Sequence, residues 1–372
     1  MFTFHVVVIL PLTLVEVAQS TRERELAWYP PVSVLIPAYN EEETVADCIE
    51  AVCASTYPSD MMEVIVINDG STDRTYEEAI AFRDRGVRVF SRDNGGKHAA
   101  LNFGLQCARG SVIVTVDADS RPEPAAIEAM VAALVDDPGV GALSASVIAA
   151  NDETMIGRLQ RVEYALSNTN RRAYSMFDAV PVVPGCLGVF RREALDDVWG
   201  FDPDTVTEDF DVTIKLLKAG WTVKHGPGRV WTIAPDDWPS LWRQRLRWYQ
   251  GGFETLRKHL DVFVEPRYRH LHAISFPTRL ISHLFTPVAS YVILVAVAWA
   301  FVIQPSLYLL SLVVLFLLLT VLITLYSAIV EEEPLNEVIL APLLFIGYKH
   351  FIDASIGAGS VRAVVRRTTW RE

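Results

Sequence analysis

Short runs of β-branched and other apolar residues alternate with helix-like stretches through the first third of the chain. VSVLIP (Val32–Pro37), EVIVIND (Glu63–Asp69), VRVFS (Val87–Ser91) and SVIVTVD (Ser111–Asp117) read as strands. Helical patterns follow from Glu42, from near Asp73 and after Lys97. Strands that are apolar throughout and alternate with helices predict a mostly parallel sheet covered on both faces. Such sheets bind ligands at the carboxyl ends of their strands. Three of these strands run into polar clusters: Ala38-Tyr39-Asn40-Glu41, Asn68-Asp69-Gly70-Ser71 and Asp117-Ala118-Asp119. All three are expected to meet in one crevice.

The texture changes near Leu284. Leu284–Ile303 and Leu307–Val330 carry no charged residue, and each is long enough to cross a bilayer as a helix. Gln304-Pro305 between them reads as a tight turn, so the two are expected to form a hairpin over 284–330. Residues 265–283, where His and Arg mix with Leu, Ile and Phe, resemble an amphipathic helix on the membrane surface. A further apolar segment, 338–358, is interrupted by Lys349, His350 and Asp353. It reads as a full span, a re-entrant piece or an interfacial helix. The basic tail, 359–372, prefers the cytoplasmic side and favours the non-spanning reading. At the other end, residues 1–20 hold a short apolar run, Phe2–Val15, broken by Pro11. It reads as a short or truncated membrane helix, and Arg22 and Arg24 behind it place the next domain, 30–260, in the cytosol.

Composition sharpens this picture in two places. With 33 Lys plus Arg against 45 Asp plus Glu, the formal net charge is −12, which excludes a nucleic-acid partner but not a single nucleotide. The four cysteines form no CxxC pair, so a zinc site is not expected, and sparse thiols fit a reducing compartment. No GxGxxG or P-loop follows a strand.

Four groups of residues carry candidate chemistry. Asp117 and Asp119, one residue apart at a strand end, suit a hard divalent cation that also grips a diphosphate. Asp69 could accept from a nucleobase N–H, although a turn explains Gly70-Ser71 as well. In Thr207-Glu208-Asp209, capping of the following helix competes with a general-base role for Asp209. In Gln244-Arg245-Leu246-Arg247-Trp248, helical spacing puts Gln244, Arg247 and Trp248 on one face, with Arg245 pointing elsewhere. Arg247 suits a leaving diphosphate and Trp248 a sugar ring. A basic juxtamembrane helix is the plainer alternative.

Together VSVLIPAYNEEET, VINDGSTD, NGGKHAALNFGL, VDADS, VPGCLGVFRREAL, TEDFD and QRLRW stand in one order over Val32–Trp248. In this the chain resembles the membrane-integrated inverting glycosyltransferases of family 2, the group of poly-N-acetylglucosamine, hyaluronan, chitin-oligosaccharide and cellulose synthases. The resemblance implies a GT-A-like α/β nucleotide-sugar-binding domain followed by transmembrane and interfacial helices. It implies that Ala38, Tyr39, Glu41 and Asp69 contact uridine, that Lys97 and Arg247 approach the phosphates, and that Asp117 and Asp119 bind nucleotide and Mg²⁺ or Mn²⁺. Asp209 would be the catalytic base. Gly185, Cys186, Glu208, Gln244 and Trp248 would line the acceptor side, and Asn68 and Asn102 would be structural. The implied reaction moves a sugar, N-acetylglucosamine or a similar hexose, from a UDP-sugar to a polysaccharide or oligosaccharide acceptor. The implied place is the plasma membrane, multi-pass, with the catalytic domain cytosolic. Addition of one sugar to a polyprenyl phosphate or other lipid, and a non-catalytic membrane subunit, are the competing expectations. The small membrane part departs from the synthases, so a second copy or a partner subunit would be needed to complete a conducting channel.

Overall fold

The computed structural model describes residues 10–20, 26 and 28–365. Eight strands form one sheet in the order β3-β2-β1-β4-β7-β6-β8-β5. The first four are those expected: β1 (Val32–Ala38), β2 (Met62–Asn68), β3 (Arg88–Ser91) and β4 (Val112–Thr115), all paired in parallel. β5 (Ser120–Pro122), β6 (Val140–Ala149), β7 (Gly188–Arg191) and β8 (Thr222–Thr232) extend the sheet. β7 runs antiparallel to both β4 and β6. Its amino end, with Gly185 and Cys186 just before it, therefore lies beside the carboxyl end of β4.

Alternate residues of β1 face opposite sides of the sheet, and both sides are covered. Val34 and Ile36 join the core with α2 (Val45–Cys53), while Leu35 joins the one with α3 (Lys97–Cys107). α4 (Ala126–Asp136) fills the first core. The helix expected from Glu42 begins only at Val45. The backbone N–H groups of Glu41 and Glu42 are taken instead by the side chains of Thr75 and Asp73. That cross-loop lacing fixes the turn after β1 before the helix starts.

Two long helices join this domain to the apolar part. α5 (Met155–Ser175) starts at Thr154, whose hydroxyl accepts from Gly157 N, and α7 (Trp238–Lys258) starts at Asp237, which accepts from Ser240 N with Pro239 in the first turn. Between them in sequence lies α6 (Glu208–Ala219), ended by Gly220 at φ +99°. At the amino-terminal side, α1 (Leu10–Ser20) packs on α5, where Thr13 donates to the carbonyl of Thr169 and Glu16 pairs with Arg172. Residues 2–9 of the apolar run, Arg22 and Arg24, and the tail residues Arg366, Arg367 and Arg371 lie outside the described residues.

The surface helix expected over 265–283 is broken. A turn at Pro266–Tyr268 is followed by Arg269 at φ +51°, a π-turn over Leu271–Ser275, and only then α8 (Phe276–Leu284). Pro277 in the first turn of α8 has no N–H to give, and the wider π-turn before it absorbs the missing bond. α9 (Thr286–Ile303) and α10 (Leu307–Val330) follow, joined through Gln304-Pro305, with Ser306 capping α10. The two arms take separate partners: α9 leans on α11 (Lys349–Val365), and α10 on α5 and on residues 335–343. Among the described residues three helical segments are long and apolar enough to cross a membrane: Thr286–Ile303, Leu307–Val330 and Leu335–Val365. The third differs in being 44% buried within the protein, against 6% and 17% for the others. Its charges are also partly self-satisfied, because Lys349 Nζ lies 2.5 Å from Asp353, which is buried. The charges that spoke against a span are thus turned inward.

Candidate active site

The three polar strand ends do meet. After β1, Asn40 takes a left-handed backbone (φ +56°), and its Oδ1 accepts from Thr72 N while its own N–H donates to Ser71 Oγ. This stitches the loop after β1 to the loop after β2. Ala38 is buried there and Tyr39 is exposed. Asp69 is buried, and its carboxylate accepts from Arg92 Nη1 at 3.0 Å, Gly95 N at 3.1 Å and Gly96 N at 2.7 Å. It thereby shapes the glycine turn that delivers Lys97. Nothing short of the fold reveals Arg92 as its partner, although a basic residue ahead of Asn-Gly-Gly-Lys was a signal. Asn68 and Asn102 hold loops: Asn68 Nδ2 donates to Ser91 Oγ, and Asn102 brackets both the N–H and the carbonyl of Phe201.

Beyond β4, Asp117 and Asp119 sit at the centre. Asp119 is fixed by hydroxyl donors, Ser120 Oγ at 3.0 Å and Thr232 Oγ1 at 3.4 Å. Thr232 comes from 113 residues further along the chain, and no local pattern marks it. Lys97 Nζ lies 2.5 Å from Asp117 and 3.1 Å from Glu208, so one ammonium bridges the acid at the strand end to the acid opening α6. Gly185 is pressed against that pair: a Cβ there would collide with Lys97 Nζ and lie 2.9 Å from Asp117 Oδ2. Glycine is the residue that lets the β7 side approach the carboxylates.

The electrostatics of the crevice suit a bound cation. Burial raises the Glu41 carboxyl to about 7, with Asp119, Asp117 and Asp73 adding to the rise against a hydrogen bond from Thr44. Asp119 is raised by burial and by Asp117. Asp209 is raised to about 6 by burial and then by Glu208, with Lys97 opposing. The Cys186 thiol is pushed up to about 12 by burial, then by Asp117 and Asp119. Lys97 alone does not neutralise this group. Carboxylate oxygens at a strand end, in a field that penalises their charge, fit a hard divalent ion. A second acid cluster, Asp202, Asp204 and Asp211, contrasts with it. Lys258 Nζ reaches all three, within 2.7, 2.7 and 2.9 Å, so that cluster already holds its cation.

α6 brings the TED sequence to the same edge. Thr207 stands at the N-cap position without a side-chain capping bond, and Glu208 is buried. Asp209 Oδ1 accepts from Phe210 N at 2.7 Å. α7 then carries Gln244, Arg247 and Trp248. Arg247 is exposed and has no charged partner among the described residues, while Trp248 is 37% exposed. Arg245, expected to point elsewhere, is wholly buried: it pairs with Glu163 at 2.6 Å, and its guanidinium lies 4.2 Å from the Trp248 ring centre. Gly251 packs tightly on Thr207, which seats α7 against the start of α6.

Comparison with known proteins agrees with this arrangement. Residues 33–199 match the family model described as Glycosyl transferase family 2. The poly-beta-1,6-N-acetyl-D-glucosamine synthase of Staphylococcus aureus (strain COL) is 32% identical over 249 residues, 66% of this chain and 60% of that protein. The synthase of the same name from Staphylococcus epidermidis gives the same identity and coverage. The chain thus spans about 60% of the length of the curated relatives it matches. In structure, a mannosyltransferase from Pyrobaculum calidifontis, solved in complex with GDP-Man and Mn2+, superposes with a TM-score of 0.66 over 99% of this chain and 98% of its own, at 21% identity. That likeness shows the fold, a GT-A-like domain carrying C-terminal helices. Residues 33–199 thus carry the pattern of a family 2 glycosyltransferase domain.

Proposed function

We propose that the chain is an inverting glycosyltransferase that moves a hexose, N-acetylglucosamine foremost, from a UDP-sugar to a growing polysaccharide or oligosaccharide. The observation that carries this is the bridged constellation of Asp117, Lys97, Glu208 and Asp209 at the carboxyl ends of the strands. Ala38, Tyr39, Glu41 and Asp69 frame the nucleoside end of the crevice. Asp117 and Asp119 are the residues that would hold Mg²⁺ or Mn²⁺, which when bound supplies charge to the leaving diphosphate. Arg247, exposed and unpaired among the described residues, has its guanidinium free for that diphosphate.

In the transfer step the acceptor hydroxyl oxygen attacks the anomeric carbon from the face opposite the diphosphate. The C1–O bond to the nucleotide breaks as the new glycosidic bond forms, and configuration inverts. Asp209 takes the hydroxyl proton, and a carboxyl raised to about 6 is a stronger base than an ordinary aspartate while still ionised near neutrality. Gly185 and Cys186 lie on the β7 side of the crevice, with Gly185 against Lys97 and Asp117. Gln244 and Trp248 on α7 face the acceptor, where an indole suits the flat face of a pyranose.

For topology, the catalytic domain is assigned to the cytosol with its apolar helices in the plasma membrane. The inward-turned charges of Leu335–Val365 favour a span or a deeply seated helix over a surface one. Cysteine labelling from outside intact cells should miss a cysteine placed at Arg267. Labelling near Trp370 would settle the third segment as a full crossing.

Membranes containing the chain, incubated with a panel of UDP-sugars and GDP-mannose with Mg²⁺ or Mn²⁺, test the activity. Long products from one UDP-sugar support the reading. Products one sugar longer than a lipid acceptor support single addition instead, and donor turnover unchanged by EDTA removes the metal.

A further inference from the structure

The QRLRW segment places one residue where neither donor nor acceptor can touch it. Arg245 is fully buried, yet it reaches four groups at once. Its Nη1 donates to Gln244 Oε1 at 3.1 Å, and its Nη2 pairs with Glu163 of α5 at 2.6 Å and meets the Tyr348 hydroxyl at 3.5 Å. Tyr348 itself donates to Glu163 at 2.6 Å, which closes a triangle of side chains from three helical segments. Over this triangle lies Trp248, its ring centre 4.2 Å from the guanidinium carbon. A cation held this close beneath an indole attracts the ring and restricts its tilt.

We propose that Arg245 is a positioning residue for the acceptor site: it sets Gln244 and Trp248 from below and ties them, through Glu163 and Tyr348, to the third apolar segment. Arg rather than Lys is required, because a planar fork can serve Gln244 and Glu163 while presenting its flat face to the ring. Glu163 and Tyr348 keep the charge compensated, since burial works against it and the nearby carboxylate holds Arg245 in its charged form. The acceptor platform is therefore referenced to the membrane part of the chain as well as to the catalytic domain that carries α5. Movement of Leu335–Val365 along its axis would reach Trp248 through two contacts.

This assignment rests on the proposed glycosyl transfer, so its test has one arm that needs no substrate. In full-length protein, the Trp248 emission is isolated as the difference between the chain and its Trp248→Phe form. Arg245→Lys and Tyr348→Phe should each make that emission more accessible to iodide. In the activity arm, Arg245→Lys should raise the acceptor KM about tenfold, the scale of one buried cation–π contact, while the donor KM moves less than about twofold. Tyr348→Phe, which keeps the ion pair and so folds, should shift the acceptor KM in the same direction but less. If both variants leave the Trp248 emission unchanged, the proposal is overturned. It is also overturned if donor KM, acceptor KM and thermal stability all worsen together, because that is what a merely structural arginine would give. If the unmodified chain transfers no sugar while the fluorescence responds as expected, the functional reading fails and the positioning survives.

Discussion

Charge is handled in opposite ways at the two ends of the catalytic domain. At the seam with the apolar helices, acids are answered by arginines: Glu16 and Glu331 by Arg172, Glu333 by Arg161, Glu337 by Arg158, Glu163 by Arg245. At the donor crevice, Asp117, Asp119, Glu208 and Asp209 share Lys97, and Glu41 adds a further acid beside them. The seam is the drier region, yet both hold acids largely withdrawn from water, so burial alone does not separate them. Compensation does. Paired charge fixes how parts fit together, and charge left in surplus is there to be met by a ligand.

Altering the surplus side should produce the largest effects. Asp119→Asn should abolish UDP-sugar turnover with little change in melting temperature, since it relieves repulsion while removing a cation ligand. An Asp119→Asn enzyme that turns over donor at the original rate would dissolve the contrast. Asp209→Asn should cost about 10²–10⁴-fold in transfer, the usual contribution of a general base, with UDP binding kept. A helix-capping role would instead cost roughly 1 kcal/mol of stability and spare turnover. On the paired side the prediction reverses. Arg172→Met removes the cation that Glu16 and Glu331 share, and should lower unfolding stability by about 3–5 kcal/mol while the surviving enzyme keeps its donor KM.

Two pH measurements sharpen the same distinction. Asp209 must be ionised to act, so transfer should rise as pH climbs through about 6, and Asp209→Asn should flatten that limb. Folding responds with the opposite sign. Glu41, Asp119 and Asp209 have carboxyls raised above their unfolded values, so the folded state binds more protons and ligand-free stability falls as pH rises from about 4.5 towards about 7. A melting curve should show that decline, and Glu41→Gln should remove part of it. Stability that climbs over this range would mean the crevice carries no surplus.

The sequence makes the donor half of the molecule legible because its strands are buried on both faces. Val34, Ile36, Val64, Val66, Val112 and Val114 leave no polar interruption to obscure them. The rest resists reading for identifiable reasons. β8 holds Lys224, His225, Gly226, Pro227, Gly228 and Arg229, so neither alternation nor an apolar run marks it, yet it supplies Thr232 to Asp119. α5 is long and polar on much of its surface, because its work is to carry Arg158, Arg161, Glu163 and Arg172 to partners distant in sequence. Local pattern reports burial, and it cannot report which distant charge answers which. For the same reason Asp117, Asp119 and Asp209 were readable as candidates, while the burial of Arg245 was not.

Lys97 acts as a tethered counter-ion that the crevice provides for itself, spanning Asp117 and Glu208. In the proposed reading a diphosphate would recruit that ammonium by drawing it away from two carboxylates, so donor uptake would be an ion exchange and not a simple addition. Asp117, were it to hold a divalent ion, would grip Lys97 less tightly, because the ion would supply positive charge to the same carboxylate. Each arrival lowers the cost of the other, and by linkage nucleotide and cation should bind together more tightly than either binds alone.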